Sequence, residues 1–160
     1  MNNRGFTLVE LLVTIVIITI VVGISLITGG TFIAKNKLNN QVIAAKQIIQ
    51  EAQNYAKTKS ESIKVVFNTN SVSIQDLDSN EINRLDFEDN IYYDATSSTI
   101  SSNQITFNFK GSPIGSNDEP TSFTASQNEI TICYKRSTNS DCEFTKDISV
   151  MPITGIPKSD

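Results

Sequence analysis

Arg4-Gly5-Phe6-Thr7-Leu8-Val9-Glu10-Leu11-Leu12-Val13 lies at the start of the chain, and after Glu10 no charged residue appears until Lys35. Residues 11–34 are therefore one uncharged, mostly apolar run. As a helix rising roughly 1.5 Å per residue it would be about 36 Å long, enough to span a bilayer. Arg4 on the short side would hold the N-terminus in the cytoplasm and place the rest of the chain outside. A cleaved secretory signal fits poorly, because the run is long and no clean small-x-small site follows it. Ala34 stands alone, and Thr28-Gly29-Gly30 is a weak match. A plain single-span anchor is the other reading.

Beyond this run the chain is polar, rich in Ser, Asn, Thr and Asp. Its 160 residues leave room for one modest domain besides an anchor. With 39% hydrophobic and 19% charged residues the composition is that of a folded protein. The net charge of -4 and the pI near 4.8 disfavour nucleic acid as a partner. There is no histidine, so the commonest general base and metal ligand is missing. Two cysteines, Cys133 and Cys142, are too few for a zinc site of their own. No phosphate-binding loop, dinucleotide fingerprint, nucleophile elbow or zinc-protease helix motif occurs. Asp76, Asp78 and Asn80 match the first, third and fifth places of a calcium loop. Glu81 stands where that loop needs Gly and Phe87 where it needs Glu, so a solvated acidic loop is expected instead. No catalytic residue, cofactor or metal is expected.

Helical periodicity continues past the apolar run. Leu38, Val42, Ala45, Ile49, Ala52 and Ala56 recur at spacings of four and three, a core-facing stripe. Asn39, Asn40, Gln41, Lys46, Gln47, Gln50 and Glu51 read as the solvated face. One helix from about Phe6 to about Lys57 is expected, first as membrane span and then as domain spine. Gly23 and Gly29-Gly30 are points where it would bend or melt, each glycine costing roughly 1 kcal/mol against Ala. From residue 62 the period becomes strand-like, with candidates at Ile63–Phe67, Val72–Ile74, Ile91–Tyr93, Gln104–Phe109, Glu129–Tyr134 and Ile148–Val150. Turn signals stand at Gly111-Ser112-Pro113 and Gly115-Ser116-Asn117, and residues 78–90 read as a short helix or a loop. The fold expected is α+β, a long N-terminal helix packed on an antiparallel sheet. Cys133 and Cys142 flank a polar segment and would fit one hairpin closed by a disulfide, with two free buried thiols as the alternative. Closing so short a loop contributes roughly 2–3 kcal/mol in the chain-entropy model.

Glu10 decides between the anchor readings. A carboxylate at the edge of an apolar span is costly and needs a partner. The order Arg4-Gly5-Phe6-Thr7-Leu8-Val9-Glu10, followed by an apolar helix, resembles the class III leader of type IV prepilins. That resemblance implies a leader of residues 1–5, cleavage by prepilin peptidase after Gly5, and N-methylation of Phe6. It implies a filament-core helix over 6–34 and an extracytoplasmic pilin-like domain over 35–160. The mature chain, without Arg4, would carry -5 in place of -4. Glu10 would pair with the terminal ammonium of Phe6 on a neighbouring subunit, each charge compensating the other. Partners implied are other pilin subunits, prepilin peptidase and an inner-membrane assembly platform, at the bacterial cytoplasmic membrane.

A second resemblance runs through Ile105-Thr106-Phe107-Asn108-Phe109-Lys110-Gly111, Glu129-Ile130-Thr131-Ile132 and Ile148 to Gly155. These segments look like the minor pseudopilins of the GspH/FimT type, which implies a minor subunit that starts or caps a pilus or a type II secretion pseudopilus. A binding subunit contacting DNA or a surface is the alternative. The tail from Gly155 to Asp160, with Lys158 as its one base, lacks the clustered cations that DNA would require.

Overall fold

The computed structural model describes residues 6–114, 128–137, 140–151 and 157–159, without the side chains of residues 24–29 and 159. Two compact units are present, Met1–Lys35 and Asn36–Asp160. One helix, α1 (Leu8–Lys59), contributes to both. It remains helical through Gly23 and Gly29-Gly30, so it does not melt at these points. The glycine cost of roughly 1 kcal/mol per residue falls short of breaking a helix whose neighbouring turns keep their own hydrogen bonds.

The C-terminus of α1 is sealed locally. Ser60 adopts φ 57°, and the Glu61 N–H donates to the Ala56 carbonyl at 3.3 Å. This is a Schellman-type stop with serine in the usual glycine place. Lys57 and Lys59 in the last turn complement the helix dipole.

Among the described residues of the second unit, nine strands form two antiparallel sheets, where one sheet was expected. The first contains β1 (Ile63–Asn68), β2 (Ser71–Gln75), β3 (Glu81–Asp86), β5 (Gln104–Phe107) and β6 (Pro113–Ile114), in the order β3-β2-β1-β5-β6. The second contains β4 (Ile91–Tyr93), β7 (Glu129–Tyr134), β8 (Phe144–Val150) and β9 (Pro157–Ser159), in the order β4-β7-β8-β9. All six candidate strands are present, although the fourth ends at Phe107 and not Phe109. The region 78–90 holds an edge strand, β3, and not a helix. Its residues Glu81, Arg84 and Asp86 put charge on the sheet edge, which discourages further strand addition. The expected turn at Gly115-Ser116-Asn117 and the run into Gly155 lie outside the described residues.

Alternation explains the core. On β1, Ile63, Val65 and Phe67 are buried, and Lys64, Val66 and Asn68 point the other way. The register Val65↔Ile74 and Phe67↔Val72 puts the β2 apolar residues on the same face. These join Leu38, Val42, Ala45, Ile49, Ala52 and Ala56 of the helix in one cluster with Ile91, Tyr93, Ile130, Ile132, Ile148 and Val150 of the second sheet. The predicted helix stripe is thus wholly buried. Gln41, expected on the solvated face, is buried as well, at 7% exposure. It lies one residue before Val42 and three after Leu38, inside the arc that the domain covers. The rings of Phe67 and Tyr93, 5.3 Å apart between centroids, join the two sheets, and the Tyr93 hydroxyl donates to Asn103 Oδ1 at 2.9 Å.

Candidate functional site: an N-terminal motif on an exposed apolar helix

Phe6 is 79% exposed and precedes the first helical turn. Thr7 is the helix N-cap. Its Oγ1 accepts from the Glu10 N–H at 3.3 Å, and the Thr7 N–H reaches back to Glu10 Oε2 at 3.5 Å. The Thr7 hydroxyl lies 3.4 Å from the same oxygen. Thr7-Leu8-Val9-Glu10 is thus a capping box, two donors of the first turn being met reciprocally. Glu10 also places an acid where the helix dipole favours one. The spacing of threonine and glutamate carried this signal in the sequence. Gly5 lies outside the described residues.

Above the cap, every large apolar side chain from Leu8 to Val22 is exposed, none less than 48%. They point all round the helix, so no single stripe can face a domain. The two hydroxyls among them are satisfied within the helix. Thr14 Oγ1 donates to the carbonyls of Glu10 (3.0 Å) and Leu11 (2.8 Å), and Thr19 Oγ1 to those of Ile15 (3.1 Å) and Val16 (2.8 Å). A segment built this way presents no unmet side-chain donor to apolar surroundings. Among the described residues, no helix is long and apolar enough to cross a membrane. The uncharged run of the sequence includes residues 24–29, whose side chains are not described.

In the second unit Cys133 and Cys142 form a disulfide, with Cα atoms 5.6 Å apart. Cys133 is on β7, and Cys142 lies two residues before β8, whose Phe144 pairs with Tyr134. The bridge therefore closes the loop of the β7–β8 hairpin. A further tie holds the β5–β6 turn. Asn108 Oδ1 accepts from the N–H groups of Lys110 and Ser112, both at 3.0 Å, and Gly111 turns the chain at φ 74°. Buried Gln53 on α1 donates from Nε2 to the Gly111 carbonyl at 2.7 Å, and the Lys57 side chain occupies the space a Gly111 Cβ would need. Sequence reasoning placed a turn at Gly111 and missed its attachment to the helix.

Asp76, Asp78 and Asn80 occupy the β2–β3 turn. Asp76 takes the Asn80 N–H and Nδ2 at 2.8 Å each, and these hydrogen bonds hold its carboxyl below the ordinary range. Its oxygens serve the turn. Among the described residues no group of three or more His, Cys, Asp or Glu is placed to hold a metal.

Residues 1–26 match the family model of the prokaryotic N-terminal methylation motif. No curated protein is significantly similar to the chain in sequence. Among solved structures, the type IV minor pilin FimU of Pseudomonas aeruginosa superposes with a TM-score of 0.55 at 17% identity, over 81% of this chain and 92% of FimU. FimU in a second crystal form gives a TM-score of 0.53 at 16% identity, over 77% of this chain and 92% of FimU. The chain therefore joins an N-terminal methylation motif to an α+β fold similar to that of the minor pilin FimU.

Proposed function

We propose that the chain is a minor pilin or pseudopilin, a structural and non-enzymatic subunit of a type IV pilus or a type II secretion pseudopilus. In this reading residues 1–5 are a leader, removed after Gly5 by prepilin peptidase, which then N-methylates Phe6. Residues 6–34 anchor the subunit in the cytoplasmic membrane with the N-terminus inside, and pass into the filament core when an inner-membrane platform assembles it. Residues 35–160 are the extracytoplasmic domain, and the subunit helps to start the filament.

The observation that carries this reading is the all-round exposed apolar helix headed by the methylation motif. Such a surface is stable only in lipid or against other apolar helices. The Glu10 carboxylate, exposed and lightly held by Thr7, is free to meet the Phe6 ammonium of a neighbour as the bundle closes. The test is the intact mass and N-terminal sequence of protein taken from its native membranes. A chain beginning at N-methylated Phe6 is expected; one still beginning at Met1, in cells with active prepilin peptidase, overturns the proposal. Glu10→Ala should abolish filament incorporation and leave the domain folded.

A further inference from the structure

The disulfide of the second unit is not symmetric. Cys133 is fully buried. It stands on β7 directly between Tyr92 of β4 and Thr145 of β8, and side chains of paired residues share a face. Cys142, in the loop before β8, is half-buried. A thiolate that opens a disulfide must reach one sulfur from the side opposite the other. With both strands beside β7 in place, Cys142 alone offers that approach. The second asymmetry is one of charge. Asp94 Oδ2 lies 4.0 Å from Cys142 Sγ, and Asp141 and Glu143 flank Cys142 in the chain. Asp147 shares the face of Cys133, where it accepts from the Thr131 hydroxyl at 2.7 Å. The bases beside them are already engaged. Arg136 pairs with Glu143 at 2.8 Å, and Lys135 lies over the Tyr92 ring, 5.8 Å from its centroid. Acids thus outnumber bases at the reachable sulfur.

We propose that this bridge is closed and opened through Cys142 alone, by a partner whose reactive sulfur lies in positively charged surroundings. In closure, the Cys142 thiolate attacks one sulfur of the partner's disulfide. That S–S bond breaks, one partner thiolate leaves, and Cys142 is held in a mixed disulfide. The Cys133 thiolate then attacks Cys142 Sγ, and the second partner sulfur leaves with the electron pair. The domain loses two electrons and its two thiol protons; the partner becomes a dithiol. Opening runs the other way, and Cys133 must then leave as a thiolate. Burial disfavours that charge, so the closed bridge resists reduction once β4 and β8 are paired with β7. The acids act on the incoming group. An anionic thiol meets the Asp94 carboxylate as it nears Cys142, whereas a cationic one is drawn in. The inference concerns the folded domain and does not depend on the assembly reading above.

The test uses the full chain with its bridge intact, in a non-ionic detergent at low ionic strength. Cysteamine, 2-mercaptoethanol and 3-mercaptopropionate, each in large excess, open the bridge, and rates are expressed per thiolate. Acid quenching, alkylation and peptide mass mapping then locate the products. Expected are the small thiol on Cys142 and the alkyl group on Cys133. Rates should fall from the cationic to the neutral to the anionic thiol by about threefold per unit of charge, the effect of one charge ~6 Å away in water. Added salt should compress the series. Asp94→Asn should compress it too; a loop that had merely loosened would speed all three thiols alike. The small thiol on Cys133, or equally on both cysteines, overturns the exchange site. So does a rate independent of thiol concentration, which would mean that only unfolded chains react. Equal rates for the three thiols, or a series that Asp94→Asn leaves unchanged, overturns the charge selection.

Discussion

Two stretches of this molecule are made of the same residue types and treat them oppositely. From Leu8 to Val22 the chain is Leu, Ile and Val with two threonines and Glu10, and every large apolar side chain is exposed. Ile63, Val65 and Phe67 on β1, with Ile130 and Ile132 on β7, are apolar too, and all are buried. The difference lies in the period. Strands that alternate apolar with polar residues have one face to hide, and a helix and a second sheet hide it. The N-terminal run has no polar face, so no arrangement within a small domain can cover it. Hydrophobicity states that a segment needs an apolar partner; periodicity states whether the chain itself supplies one.

The sharpest way to break this contrast is to truncate one side chain in each region. Phe67→Ala removes a buried ring at the junction of the sheets and should cost about 3–5 kcal/mol of domain stability. Ile17→Ala removes an exposed side chain and should change domain stability by no more than about 0.5 kcal/mol. Denaturant unfolding of the full chain in detergent, followed by far-ultraviolet circular dichroism, compares the two. Equal destabilisation would mean that the N-terminal segment packs on the domain, and the contrast would fail.

Legibility followed the same physics. The helix stripe from Leu38 to Ala56 and the six principal strands were readable because burial on one side imposes a period. β3 was not, since Glu81, Asn83, Arg84 and Asp86 lie on a sheet edge where exposure relaxes the alternation. β6 and β9 are two and three residues long, too short to show a period, and both begin with the proline that edge strands tolerate. The partition into two sheets depends on which strands pair, a non-local choice that no single segment encodes. At the N-terminus the order from Arg4 to Glu10 was readable as a motif, but the capping box that its Thr7 and Glu10 form went unread. Gln41 misled, because its polarity outweighed its position beside Val42.

A smaller effect is expected at the tie between the β5–β6 turn and α1. Gly111 has φ 74°, and an added Cβ would overlap the Lys57 side chain. Gly111→Ala should cost about 1–3 kcal/mol through backbone strain and that overlap. Adding Lys57→Ala relieves only the overlap, so the double variant should recover part of the loss. If Gly111→Ala were neutral in denaturant unfolding, the turn would not be held against the helix as described.

The smallest effect expected is one of pH, at Asp94 just after β4. Burial pushes this carboxyl up, but donors outweigh it: the Ser97 hydroxyl at 2.7 Å, the Thr96 N–H at 3.0 Å and the Ser97 N–H at 3.4 Å, with Lys135 adding attraction. The net result is a carboxyl held below its ordinary value of 3.8. A folded-state pKa below the unfolded one means that the ionised group stabilises the fold fully above 3.8, and that this contribution is lost as pH falls through the lower folded value. The gap in denaturant midpoint between the parent and Asp94→Asn should therefore be widest near neutrality and narrow in strong acid. The same residue holds the chain end of β4 against β7, its backbone N–H donating to the Thr131 carbonyl at 2.9 Å, a main-chain bond that the Asp94→Asn variant would keep. A gap that stays constant across the acid range would assign any loss in Asp94→Asn to shape and not to charge. Between Glu10 and Lys35 the N-terminal run carries no titratable side chain.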